Sequence, residues 1–78
     1  MVRVRRIEHH DGSRRVDFFD RGDGLFSYES ECEAFDDVPG LGPLIYWKCE
    51  YQSGLYGTLE DAERDAFATI GWLHETPE

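Results

Sequence analysis

The chain has 78 residues, of which 40% are hydrophobic and 14% aromatic, and it carries a net charge of −9. That much apolar surface argues against disorder and for one small α+β domain over residues 1–78, near the lower size at which a single core suffices. Two cysteines, Cys32 and Cys49, are too few for a disulfide framework and lack the paired spacing of a zinc site. No apolar run approaches the ~20 residues that span a bilayer, so no membrane contact and a soluble, cytoplasmic protein are expected.

The charge is divided unevenly. Residues 1–22 hold six arginines against four acids, a net of +2; residues 23–78 hold one lysine and one arginine against thirteen acids, a net of −11. Such asymmetry bears on partners and solubility and not on fold. An acidic surface repels nucleic acid and attracts basic protein surfaces, and it also keeps a small protein soluble.

A first strand runs from Val2 to His10, followed by the hairpin signal Asp11-Gly12 and a second strand from about Ser13 to Phe19. Setting His10 against Ser13 puts Glu8 opposite Arg15, Arg6 opposite Asp17 and Ile7 opposite Val16, the charge and apolar pairs that a register needs. Arg5 and Val4 then fall opposite Phe18 and Phe19, which calls for a bulge near Arg5-Arg6. Asp20 to Gly24 forms a second turn.

A third strand, Leu25 to about Phe35, puts Phe26, Tyr28, Ser30, Cys32 and Ala34 on one face. Glu29, Glu31 and Glu33 line the other, roughly 6.6 Å apart, in an acidic file extended by Asp36 and Asp37. Val38 to Leu44 holds two prolines and two glycines and is expected to be a rigid apolar loop. A fourth strand, Ile45 to Gln52, places Ile45, Trp47, Cys49 and Tyr51 together, and Leu55-Tyr56 suggests a short fifth strand.

The strongest helix signal follows. Thr58 supplies a cap, and Glu60, Asp61 and Glu63 place negative charge at the positive end of the dipole. Leu59, Ala62, Ala66, Phe67, Ile70 and Leu73 form one apolar stripe. Gly71 is expected to close the helix in the left-handed conformation, with Trp72 and Leu73 folding back. Residues 74–78 read as a frayed tail. Strands joined by turns and then one helix imply an antiparallel sheet of four to five strands with the C-terminal helix on one face, over Phe18, Phe26, Tyr28, Trp47 and Tyr51. The opposite face is expected to be wet and acidic.

Catalytic and metal signals are weak. His9 and His10 point to opposite sides of a strand, His74 stands apart, and Cys32 and Cys49 alternate with apolar neighbours as small core residues. Ser13 beside the histidines lies on an exposed turn, and Gly40-Leu41-Gly42 leads into a strand and not a helix. No enzyme, metal or cofactor is expected.

Two binding functions remain, beside the plainer expectation of a small accessory protein. Arg3, Arg5, Arg6, Arg14 and Arg15 make a basic hairpin, and a two-stranded ribbon can enter a DNA groove. Residues 54–62, Gly-Leu-Tyr-Gly-Thr-Leu-Glu-Asp-Ala, are also similar to the last-strand-into-helix segment of plant AP2 DNA-binding domains. The resemblance implies a three-stranded sheet backed by a helix. It stops short of the basic and aromatic strand residues that such domains set against DNA, and Glu29, Glu31 and Glu33 would face phosphates. The acidic alternative uses Glu29, Glu31, Glu33, Asp36 and Asp37 against a partner protein with a basic surface. Its sharpest form is a phage or mobile-element inhibitor, of anti-restriction or anti-CRISPR type, that mimics nucleic acid in a basic groove. Because nucleic-acid affinity rests on neutralising phosphates, the net charge favours the acidic alternative, for a monomer or homodimer.

Overall fold

The computed structural model describes residues 1–75. β1 (Val2–Glu8) and β2 (Arg14–Asp20) pair antiparallel in the register that their charges require: Arg6 faces Asp17, Ile7 faces Val16 and Glu8 faces Arg15. Arg5 faces Phe18 as expected, but Arg3 and not Val4 faces Phe19, so the bulge lies at Val4. The turn is longer than a two-residue hairpin. The His9 N–H donates to the Arg14 carbonyl and the Gly12 N–H to the His9 carbonyl. Gly12 has a φ of +77°, and no described non-glycine residue has a positive φ, which rules out the type I′ form with two such residues. Asp11 instead accepts from both the N–H and the hydroxyl of Ser13, an Asx turn. These bonds hold the Asp11 carboxyl down at about 2.

β3 (Phe26–Val38) and β4 (Gly42–Gln52) complete one antiparallel sheet in the order β1-β2-β3-β4. With the C-terminal helix α1 (Leu59–Thr69) this is an α+β fold. Both strands exceed their expected lengths, and the expected loop over residues 38–44 shrinks to three residues. The ladder continues through Phe35–Ile45, Asp36–Leu44, Asp37–Pro43 and Val38–Gly42. Gly40 and Gly42, with φ of +84° and +83°, supply the tight reversal. Pro39 sits in that turn and Pro43 on the edge strand, where a missing donor is tolerated.

Two expectations need correction at the C-terminal side. Leu55-Tyr56 forms no fifth strand; Tyr56 makes one antiparallel bridge to Phe26, with N–H···O distances of 2.8 Å in both directions. Gly71 does not take a left-handed cap: α1 ends at Ile70 in extended backbone, and a 3-10 helix (Gly71–Glu75) follows. His74 and Glu75 therefore belong to regular structure, and residues 76–78 lie outside the described residues. The N-terminal cap is as expected, with the Thr58 hydroxyl accepting from the Asp61 N–H at 3.1 Å.

The core is Ile7, Val16, Phe18 and Tyr28 from the sheet, against Ala62, Ala66, Ile70, Trp72 and Leu73. Alanines at the contact bring the helix backbone close, so Phe18 and Tyr28 fill the space between layers. Phe67 and Leu59 are only half-buried. The helix packs on β2 and β3, which covers one end of the sheet and leaves the other end bare.

Candidate protein-binding surface

The location of that bare end follows from the registers. β2 pairs with β3 only as far as Arg14–Cys32, whereas β3 pairs with β4 as far as Val38–Gly42. Beyond Glu33, whose N–H donates to the Ser13 carbonyl, the sheet is therefore a two-stranded ribbon about 17 Å long. The molecule measures 47 × 29 × 17 Å.

A second bulge decides which side chains the ribbon shows on which face. Ser30 pairs with Tyr51 but Glu31 pairs with Cys49, so Glu50 is the inserted residue. Tyr51 stays on the helix face, near Tyr28 at a ring distance of 5.9 Å. Past Glu50 the alternation inverts. Cys49, Trp47 and Ile45 fall opposite Glu31, Glu33 and Phe35, on the face away from the helix. Trp47 is therefore not under the helix, as the sequence alternation suggested; it stands on the carboxylate face, 37% exposed. Leu44, Tyr46 and Lys48 take the helix face, beside Asp36, Ala34 and Cys32.

The acidic file is broken by its neighbours. Glu29 accepts from Gln52 Nε2 at 3.3 Å, beside Asp17 on β2. Glu31 accepts from Arg15 Nε at 3.1 Å, and the same guanidinium lies over the Trp47 ring, 3.9 Å from its centroid. Arg15 thus neutralises Glu31 and makes a cation–π contact with Trp47. Glu29 and Glu31 are half-buried, while Glu33, Asp36 and Asp37 are exposed. Asp37 shares the face of Glu33 across Phe35. Asp36 lies on the other face, where it accepts from the Tyr46 hydroxyl at 3.2 Å and pushes that hydroxyl's pKa up. The carboxylate face is also drier than expected near its base, where Asp17 is buried under a bidentate bond from Arg6 of 2.6 and 3.0 Å.

What remains at the ribbon is a mixed surface. Phe35 (65% exposed), Ile45 (64%) and Trp47 lie on one face, Leu44 (52%) and Tyr46 on the other, and Leu41 (85%) at the tip. Glu33, Asp36 and Asp37 are interleaved with them, and the sequence holds no lysine or arginine between Arg21 and Lys48. Exposed apolar patches rimmed by charge are a common feature of interaction surfaces. The signal was present in the sequence: Leu44 to Trp47 are four consecutive apolar residues, a run that cannot all face one core.

The arginine hairpin is largely neutralised. Arg6 is held by Asp17 and Arg15 by Glu31, while Arg5 reaches Glu63 on α1 in an ion pair. Arg3 and Arg14 are exposed on opposite faces.

The remaining chemistry is sparse. Cys32 and Cys49 sit on opposite faces of the sheet, so they do not pair, and burial raises the Cys32 thiol. His9 and His10 do share one place after all, their rings tilted by 32° at a centroid distance of 4.2 Å, with His9 also edge-on to Trp72 at 5.4 Å. Among the described residues no group of three or more His, Cys, Asp or Glu converges on a point. A polar cleft of about 140 Å³ is lined by Arg21, Ser27, Glu29, Gln52 and Ser53, well under the few hundred Å³ usual for a small-molecule site. No described helix is long and apolar enough to cross a membrane. The chain matches no family model, no curated protein and no solved structure.

Proposed function

We propose that the chain is a non-catalytic protein-binding module that meets a basic partner through the outer half of the β3–β4 ribbon. The observation that carries this is the segment Glu33–Trp47, exposed on both faces, rich in apolar side chains and bearing acids but no base. The apolar residues supply the contact area, and Glu33, Asp36 and Asp37 steer a cationic surface onto it. A nucleic-acid mimic needs a continuous file of free carboxylates. Arg15 interrupts that file at Glu31 and Phe35 interrupts it further out, so an inhibitor of that type would draw on Glu33, Asp36 and Asp37 alone. DNA binding through the hairpin would require phosphates to displace Asp17, Glu31 and Glu63 from Arg6, Arg15 and Arg5.

The test is affinity capture at low and moderate salt, with bound proteins identified by mass. Wild type is compared with Ile45→Ser/Trp47→Ser, with Glu33→Lys/Asp37→Lys, and with Arg3→Ser/Arg14→Ser. The ribbon variants should lose a shared set of basic proteins that the arginine variant keeps. Loss in the arginine variant alone, or nucleic acid in the wild-type capture, would refute the assignment.

A further inference from the structure

We infer that the free edge of β4 at residues 44–47 takes an extended, lysine- or arginine-bearing segment of the partner as a fifth strand. This rests on the binding surface proposed above and adds to it the mode of attachment. The two edges of the sheet differ in a way that points to it. On β1, four of seven residues are charged (Arg3, Arg5, Arg6 and Glu8) and Val4 bulges, two devices that blunt an edge against further pairing. On β4 the inner half is blunted in the same way, by Lys48, Glu50 and the bulge at Glu50. The outer half is blunted only at its start, by Pro43, and from Leu44 to Trp47 it has neither charge nor bulge. Leu44, Ile45, Tyr46 and Trp47 are uncharged, β-branched or aromatic for the most part, and in unbroken register with β3. Alternate N–H and C=O groups of an edge strand face away from the sheet and are free to pair.

The occupant is set by charge and by the side chains that flank the edge. A fifth strand would lie beside Ile45 and Trp47 on one face and Leu44 and Tyr46 on the other, which suits an apolar residue at alternate positions. It would lie roughly 10 Å from β3, within reach of a lysine or arginine stem directed at Glu33 or Asp37. A second copy of the chain fits poorly, because pairing β4 with itself brings two ribbons of like charge together in a dimer of two chains of −9 each.

The probe is a short capped peptide of alternating lysine and valine, titrated into the full-length protein and followed by amide NMR. A glutamate–valine peptide serves as the charge control. Two further lysine–valine analogues are N-methylated, one at every lysine and one at every valine. Strand addition requires the N–H groups of only one of these frames. The unmodified peptide should therefore bind and slow hydrogen exchange at alternate residues of 44–47. One methylated analogue should bind about ten- to hundredfold more weakly, from the loss of two or three backbone hydrogen bonds, and the other nearly as well. The glutamate peptide should not bind.

If both methylated analogues bind like the parent, strand addition is refuted while the acidic-apolar docking surface stands. If no lysine peptide binds but the ribbon variants still lose their basic partners in capture, the surface is again kept and the fifth strand rejected. Concentration-dependent protection of residues 44–47 in the free protein would assign the edge to a second copy and overturn the inference.

Discussion

Asp65 joins the helix to the sheet, and its removal gives the sharpest test of the core. Its Oδ2 accepts from the Tyr28 hydroxyl at 2.6 Å and from the Tyr56 hydroxyl at 2.5 Å. Tyr28 is fully buried on β3, and Tyr56 comes from the bridge that docks the 53–58 segment onto Phe26. Three separate parts of the chain thus meet at one carboxylate. Asp65→Ala removes two hydrogen bonds to a charged acceptor, each worth about 1.5–3 kcal/mol, and leaves the buried Tyr28 hydroxyl only weaker neutral partners such as Thr69. Tyr56 is half-exposed and regains water, so the net loss is set at about 2–4 kcal/mol. A chain of this length has about 4–12 kcal/mol of total stability. The variant should therefore melt at least about 8 °C lower. Asp65→Asn keeps an acceptor oxygen and should lose about half as much.

The pH dependence has a definite sign. Hydrogen bonds from Tyr28 and Tyr56 hold the Asp65 carboxyl below its usual value. Its contribution is fully present above the unfolded carboxyl's pKa of about 4 and is lost as pH falls through the lower folded value. On the alkaline side, Asp65 pushes Tyr56 up to about 12, and burial pushes Tyr28 up further. That contribution is complete below about pH 10 and disappears as pH rises through the raised values. Urea unfolding of wild type and Asp65→Ala across this range should show a stability difference that is broad at neutral pH and narrows on both flanks. A difference under about 0.5 kcal/mol at neutral pH, or one flat from pH 3 to 11, would refute the network's role.

Two other outcomes follow from burial. Phe18→Ala empties a fully buried site and should abolish cooperative unfolding, at about 3–5 kcal/mol, whereas Phe67→Ala at a half-buried site should leave a cooperative transition with a clearly lower midpoint. Equal losses in the two would show the helix to be rotated from its assigned face. In native thiol titration, exposed Cys49 should react fast and Cys32, half-buried with a raised pKa, slowly; a Cys49→Ser variant that keeps the fast phase would contradict this.

The parts legible in the sequence were those where local rules agreed with the tertiary outcome. Opposed charges and Ile7–Val16 set the first hairpin, and Thr58 with its apolar stripe set the helix. The placement of Trp47 and Ile45 was not legible because of a bulge. Ile45, Trp47, Cys49 and Tyr51 alternate without interruption, and no glycine marks an inserted residue, so nothing in β4 announces the bulge at Glu50. One unpaired residue moved Trp47 and Ile45 to the carboxylate face. The prolines and glycines around residue 40 pointed to a break in structure, but a positive-φ glycine and an edge proline are equally the parts of a tight hairpin. Half of the acidic site was visible as a period-two pattern. Its partial neutralisation by Arg15 depends on pairings across three strands that spacing alone does not give, whereas Asp36, three residues from Glu33, falls on the helix face by simple alternation.

The position of the Glu50 bulge also explains why an acidic chain carries so much exposed apolar surface at one end. An edge of Leu44-Ile45-Tyr46-Trp47 on a neutral protein would be an aggregation site, because the same groups that accept a partner strand accept another copy. Here the bulge and Lys48 close the inner edge and confine the open part to the tip, away from the core that the helix protects. The field of the remaining acids then acts differently on the two kinds of visitor. On the proposed reading, a second copy would meet repulsion between like ribbons, whereas a cationic segment would be drawn in and find apolar flanks on both faces. Charge would then work as a filter on a surface whose attraction is apolar. Three of the five hairpin arginines are paired with Asp17, Glu31 and Glu63, so the hairpin's positive charge is taken up by carboxylates near the core and the exposed acids of the ribbon stand apart from it.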